Sequence, residues 1–326
     1  MRIAASPEDF VVDEEPLYPA TGEGAHTFLR VEKRLRNTEE VARALARLAG
    51  VRPGDVGYAG RKDRIAVARQ WLSVPGLDPE RALGCEGDGF RVLEAVRHPH
   101  KLRTGQLRAN RFELVVRELT AEQAEHAAAR LEALVARGLP NRFGPQRFGR
   151  DGRNPDAARA LLERGEAGRD RRAARFLLSA LQAEVWNACL AARPLPLDAV
   201  ETDEVAFLHA SGASFVVEDE ARESARAARF EISAAGPLFG SHLLPATGAP
   251  GQRERAVFAA HGIPETLRLP RGLRLRGARR PIRVRPEAAR CERVSADAVR
   301  LCFTLPPGSY ATVLVDALFA APEGQP

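Results

Sequence analysis

Residues 57–74 read GYAGRKDRIAVARQWLSV, a charged loop between two glycines that runs directly into an apolar segment. Val67, Trp71, Leu72 and Val74 predict a strand, ended by Pro75 and Gly76. The loop itself, Gly57 to Arg64, holds one carboxylate, Asp63, among Arg61, Lys62 and Arg64. Nearby cations favour the charged form of a carboxylate, so Asp63 is expected to be an anion at neutral pH. An anionic Asp suits attack at a sugar carbon, or stabilisation of positive charge there. It suits a general acid poorly, since that role needs a raised pKa. The plainer alternative is an Asp that caps a helix or closes a turn.

Lys and Arg total 49, yet only Lys33, Lys62 and Lys101 are lysines. Arg and Lys differ in geometry and hydration, so Lys62, spared by a strong Arg bias, is a candidate for a real lysine requirement. The same bias warns against reading every Arg as a nucleic-acid contact.

Upstream of the loop, Phe10–Val12 and Phe28–Val31 predict strands. Asn37 with Glu40 forms a capping-box pattern and Gly50 a C-terminal stop, which predicts a helix from Thr38 to Ala49. Downstream, strands are expected near 90–96 and 112–116, flanking a basic segment from Arg97 to Arg111. A helix from Ala121 to Arg137 follows, with Thr120 and Gln123 as its cap pair and Gly138 closing it. Residues 139–154, LPNRFGPQRFGRDGRN, are rich in turn formers and Arg. Asn154 and Pro155 then open a further helix, and Arg169 to Arg193 a longer one. Between 195 and 265 the pattern weakens, and the middle reads as a second module inserted into the first. Leu267 to Pro286 alternates apolar residues with Arg and holds no acid, so an extended ribbon would place several guanidiniums on one face. Val299, Leu301 and Phe303 predict a strand, Pro306–Gly308 a turn, and 310–319 a short helix.

At 326 residues the chain can bury one large core or two ordinary ones. Net charge +6 leans towards a polyanionic partner. Cys85, Cys189, Cys291 and Cys302 are scattered without CxxC spacing, so neither a zinc site nor a disulfide framework is indicated, and the natural compartment is a reducing cytosol. The acidic first 25 residues do not follow the order of a signal peptide, and no run approaches the roughly 20 apolar residues of a membrane span. His98 and His100 share a strand face but have no third ligand nearby, and Ser241–His242 lacks nucleophile-elbow spacing.

In order along the chain, PEDFVVDE, GEGAHTFLRVEK with NTEEVARAL, GYAGRKDRIAVARQW, LPNRFGPQRFGRDG and LPPGSYATVLV resemble the TruD family of tRNA pseudouridine synthases, from near residue 7 to about 318. The resemblance implies an α+β fold: a pseudouridine synthase core with a curved mixed or antiparallel sheet and helices, at 1–152 and 280–326, interrupted by an inserted TRUD domain at 153–279, with a cleft between the two. It puts Asp63 at the catalytic Asp and Lys62 at the basic residue before it, with Arg64 in place of a Lys sometimes seen after it. Asn141 and Phe143 match the Asn-x-Phe element near the active site. Tyr310 stands where bacterial relatives carry a base-stacking Phe, keeping the ring and adding a hydroxyl. The expected RNA contacts are Arg61, Arg64, Arg147, Arg150, Arg274, Arg276, Arg279 and Arg280. The implied reaction converts a uridine of tRNA, number thirteen, to pseudouridine with no cofactor and no metal, in a cytoplasmic monomer without an obligatory protein partner. A nucleoside or glycoside hydrolase and a non-catalytic RNA-binding factor are the rival classes.

Overall fold

A computed structural model of the chain describes residues 1–3, 6–166, 168 and 170–319, and the chain divides into two compact units. One takes Met1–Ala136, Pro286–Ala311 and the stretch from Val315; the other takes Arg137–Arg285 with Thr312–Leu314.

The first unit is built on a mixed sheet, ten-stranded among the described residues. Its main path runs Glu287–Ser295, Ala298–Leu305, Leu107–Arg117, Phe10–Pro16, Val67–Pro75, His26–Lys33, Phe90–His98 and Glu86–Gly87. Neighbours are antiparallel except Phe10–Pro16 and Val67–Pro75, which run parallel. The strand that follows the charged loop is therefore central, and the loop opens beside the parallel seam.

Helix Thr38–Ala49 lies on this sheet as its pattern predicts. Val41, Ala42, Leu45 and Ala46, spaced three to four apart, pack on Leu29, Val31, Leu72, Val74 and Val92. Each fully buried Val or Leu contributes about 1.5–3 kcal/mol. The Asn37 amide donates to Glu40 Oε2 at 2.7 Å, and Gly50 ends the helix in the left-handed conformation at φ 67°. Helix Ala121–Arg137 opens on the expected reciprocal bonds, Thr120 amide to Gln123 Oε1 at 2.9 Å and Gln123 amide to Thr120 Oγ1 at 3.1 Å. The basic segment is shorter than expected. Strands Phe90–His98 and Leu107–Arg117 extend into it, because Leu107–Asn110 pairs with Glu14–Pro16 and the exposed Arg108 finds a carboxylate in Glu15.

In the second unit, helix Asn154–Arg164 packs on helix Arg171–Ala191; Arg169, the expected start of the latter, lies outside the described residues. The weakly patterned stretch contains a four-stranded sheet in the order Ser214–Val216, Val205–Leu208, Ile232–Leu238, Ala278–Pro281, with helices Glu220–Ala228 and Gly248–Ala260. It reads poorly because strand Ile232–Leu238, sequence ISAAGPL, is buried on both sides and shows no alternation. The Arg-rich segment is not one ribbon. Arg276 makes an isolated bridge to Ser241, Ala278–Pro281 pairs with Leu238–Ala235, and Arg283–Val284 pairs with Pro140–Leu139. That last pairing ties the start of the 139–154 segment to the end of the Arg-rich one, and both lie in the second compact unit, within Arg137–Arg285.

Of the two glycines bracketing the charged loop, only one is sterically required. A Cβ at Gly57 would collide with the Leu102 carbonyl oxygen and Ser73 Oγ, while at Gly60 the nearest atom would be Lys62 Nζ at 3.8 Å. Gly57→Ala is expected to cost about 1–3 kcal/mol by overpacking, and Gly60→Ala less than about 0.5 kcal/mol. Urea midpoints of the two variants measure the difference.

Candidate active site

Strands Phe10–Pro16 and Val67–Pro75 pair in parallel only from Val11–Val67 to Asp13–Arg69. Just past the last pair, the buried Glu14 takes over with its side chain: Oε1 accepts the Trp71 amide at 3.1 Å. Its Oε2 accepts from Lys62 Nζ at 2.5 Å, and the same ammonium donates to Asn110 Oδ1 at 2.7 Å. The Lys62 and Glu14 side chains are 6% and 1% exposed. The loop is thus pulled by its lysine into the end of the parallel seam.

A second anchor holds the main chain. The Lys62 amide donates to Thr38 Oγ1 at 3.0 Å, and that hydroxyl donates onward to Gln70 Oε1 at 3.0 Å. Thr38 is the first residue of its helix and Gln70 lies in the central strand, both buried. A third anchor comes from Lys33, the last residue of strand His26–Lys33, whose Nζ donates to the Asp63 main-chain carbonyl at 2.5 Å. Four consecutive sheet strands, carrying Asn110, Glu14, Gln70 and Lys33, and one helix end therefore fix two residues of loop, and Asp63 itself stands exposed just before the strand.

Two of the three loop cations expected around Asp63 also have carboxylate partners of their own. Lys62 is paired with Glu14, and Arg61 Nε meets Glu39 Oε1 at 2.5 Å on the surface. Arg64 is exposed. The cation beneath the loop is Lys33, fully buried, with its pKa pulled from 10.5 to about 8; burial is the main cause, opposed by the attraction of Asp63. Neither Lys33 nor Glu14 stands out as a site residue in the sequence. The available signals were that Lys33 is one of three lysines and that Glu14 falls in an acidic run, which by itself speaks only against a signal peptide. Tyr310 belongs to the same compact unit. It is half-buried at the end of the turn in which Gly308 takes φ 80° and the Ser309 amide donates to the Pro306 carbonyl at 3.3 Å, immediately before helix Ala311–Phe319.

In the second unit, Asn141, Phe143 and Arg280 form one assembly. The Asn141 amide donates to the Ile282 carbonyl at 2.8 Å and its Nδ2 to the Pro281 carbonyl at 3.0 Å. Arg280 Nη2 donates to Asn141 Oδ1 at 2.6 Å and to its carbonyl at 3.0 Å. The Arg280 guanidinium lies 4.1 Å from the Phe143 ring centre, and Phe143 meets Trp186 edge to face at 5.6 Å. Asn187 clamps the Phe143 main chain with bonds of 2.9 and 3.0 Å. Arg147 is half-buried against Phe143 and Phe176, and Arg150 is exposed.

The Arg-rich segment divides by burial. Arg274 and Arg276 are exposed while Leu273 and Leu275 between and beside them are buried, and among the described residues no carboxylate pairs with either Arg. Arg279 departs from its expected RNA-facing place. Its side chain is 2% exposed, bonded to both oxygens of Glu254 at 2.5 and 2.9 Å and to the carbonyls of Leu244 and Ala235. Arg283 is likewise internal, bonded to Ser233 Oγ and the carbonyls of Arg137 and Ala227, with its pKa lowered to about 10 by burial. A guanidinium in either place stabilises the unit and does not reach a phosphate.

Among the described residues no group of three or more His, Cys, Asp or Glu stands close enough to hold a metal, and no helix is long and apolar enough to cross a membrane. His98 is buried, stacked on Tyr18 at 5.3 Å and tilted against Phe28 at 4.2 Å.

Comparison with known proteins supplies a family. The family model for tRNA pseudouridine synthase D (TruD) matches residues 1–165 and 169–317. A protein of Anaeromyxobacter sp. (strain Fw109-5) named tRNA pseudouridine synthase D is 47% identical over 327 aligned residues, covering 97% of this chain and 91% of that one. One of the same name from Thermus thermophilus is 42% identical, covering 96% and 87%. The crystal structure of a Methanosarcina mazei protein carrying the TruD name superposes with a TM-score of 0.72 at 20% identity, over 98% of this chain and 93% of that one. At that identity it speaks for the fold alone.

The anchoring of the loop makes a contrast that stability measurements can check. Glu14→Gln strands the buried Lys62 ammonium and is expected to cost about 3–5 kcal/mol. Glu39→Gln, which removes the exposed partner of Arg61, is expected to cost less than about 1 kcal/mol. Equal unfolding midpoints for the two variants would contradict the role given to the buried pair.

Proposed function

The chain belongs to the TruD family of tRNA pseudouridine synthases, and on that premise we propose that Asp63 acts at the ribose of uridine thirteen in tRNA to turn the base over. The reaction is an isomerisation. The bond from C1′ to N1 breaks, the uracil turns, and C5 bonds to C1′; C5 gives up its proton and N1 gains one, so nothing is oxidised and no group is brought in. Asp63 either attacks C1′ or takes a proton from the ribose to leave a glycal. The observation that carries this reading is the convergence of Lys33, Thr38 and Glu14 on two residues of loop, Lys62 and Asp63, which holds one exposed carboxylate on a rigid base. A carboxylate that must meet one sugar carbon gains most from such fixing, because small misplacements are costly in rate.

The uridine must first leave its stack, at a cost of a few kcal/mol. Stacking on the Tyr310 ring offsets part of that cost. Arg274 and Arg276, exposed and without a paired carboxylate among the described residues, suit phosphate contacts, as do the exposed Arg64 and Arg150. A hydrolase would require a second carboxylate with a raised pKa beside the first. Glu14, the buried carboxylate bound to the loop, is already held by Lys62 and the Trp71 amide, which favours isomerisation.

Unmodified tRNA incubated with the protein should gain pseudouridine at position thirteen, mapped by chemical derivatisation because the mass is unchanged. Asp63→Asn should give none while still binding tRNA. Equal product from wild type and Asp63→Asn would remove Asp63 from the chemistry; tight binding without any pseudouridine would indicate an RNA-binding factor instead.

The division of the Arg-rich segment is tested separately. Arg274→Ala with Arg276→Ala should weaken tRNA binding and lower the slope of log K against log salt by about 1 for each phosphate left without its guanidinium, with little change in stability. Arg279→Ala should do the reverse, leaving the slope intact and costing about 3–5 kcal/mol, because Glu254 loses its buried partner.

A further inference from the structure

Lys33 remains unexplained by packing alone. It ends strand His26–Lys33, its side chain is fully buried, and its ammonium donates to a main-chain carbonyl that any neutral donor of the same reach could satisfy. Taking an ammonium out of water is expensive, so what distinguishes a lysine here is its charge. The bonded carbonyl belongs to Asp63 itself. Resting on the reading of Asp63 given above, we propose that Lys33 is the positioning residue of the reaction: its ammonium pins the main chain at Asp63 and places a positive charge beneath the carboxylate when the ribose arrives.

The groups that face Lys33 are few. From the loop come Asp63 and Lys62, and from the first turn of helix Thr38–Ala49 comes Glu40, itself balanced by Arg36 and Arg64. Its cross-strand neighbours, Ala68 and Phe90, carry no charge. Glu32, one residue earlier, points to the opposite face of the sheet, where Arg69 and Arg91 pair with it. Lys62 is committed to Glu14, whereas the Lys33 ammonium is bonded directly to the Asp63 main chain.

The pH consequence has a definite sign. Burial lowers the Lys33 pKa from 10.5 to about 8, with Asp63 and Glu40 opposing and Lys62 assisting. Above the folded value, Lys33 becomes a neutral amine that still donates to the carbonyl but no longer carries the charge, so the isomerisation rate should fall as pH rises through about 8. The contribution to stability moves the other way. Between the folded pKa and the ordinary lysine value the unfolded chain binds more protons, so the contribution of Lys33 to stability rises with pH. A lysine with a merely structural role would show the second effect without the first.

The experiment is single-turnover isomerisation of unmodified tRNA by the full chain between about pH 6.5 and 9.5, read as loss of tritium from C5 of labelled uridine, with tRNA affinity and thermal stability measured at each pH. Wild type should lose rate through about pH 8 at constant affinity. Lys33→Met should lose roughly 100-fold in rate with affinity kept and no alkaline limb. Lys33→Arg should restore much of the rate and carry the limb out of range, because its charge persists. A flat wild-type profile, or Lys33→Met at wild-type rate, would overturn the proposal; should Lys33→Met not fold, the wild-type profile alone decides it. Asp63→Asn is run in parallel. Activity in that variant would defeat the assignment of Asp63, whereas an inactive Asp63→Asn beside a fully active Lys33→Met would defeat only that of Lys33.

Discussion

The buried pair between Glu14 and Lys62 is the constraint from which the candidate site follows. Two parallel strands that pair for three residues and then stop leave an amide, that of Trp71, without a strand partner. An unpaired amide in a buried place costs free energy, and Glu14 satisfies it with one oxygen. The other oxygen then needs a donor, and a carboxylate 1% exposed needs a counter-charge. Lys62 supplies both, and the loop that carries it must follow. A defect in sheet pairing thereby determines where the neighbouring residue, Asp63, is held.

The remaining anchors share this logic. Thr38 is placed by helix capping and packing, yet its hydroxyl accepts the Lys62 amide and donates to Gln70. Lys33 ends a strand whose apolar residues form the core, yet its ammonium reaches the Asp63 carbonyl. In each case an element positioned by apolar burial presents one polar group at its end. The apolar core contributes most of the free energy, and the polar groups at its margin give the loop one geometry.

The second unit shows how differently the same residue type is used according to depth. Arg274 and Arg276 stay at the surface because Leu273 and Leu275 alternate with them and face inwards. A few residues on, Arg279 and Arg283 face inwards themselves, one on Glu254 and the other on carbonyls and the Phe230 ring. Arg280 is intermediate, held by Asn141 over Phe143. Composition carries no information on depth, so an acid-free run of arginines looks uniform until strand pairing assigns each to a side.

Local signals in the chain determined what depends on near neighbours. The helix from Thr38 to Ala49 is written in its apolar spacing, its Asn37–Glu40 box and Gly50, and the strand from Val67 in the apolar run after the loop. The five ordered motifs were enough to indicate the family and to single out Asp63. What depends on residues far apart was decided only by the fold. Glu14 and Lys62 are 48 positions apart, Lys33 and Asp63 30 apart, and Arg279 and Glu254 25 apart, and no periodicity links them. The partners that fix Lys62 and the Asp63 main chain are therefore not legible from sequence, where proximity along the chain stands in for proximity in space. Charges act through distance and burial, and both are properties of the folded chain.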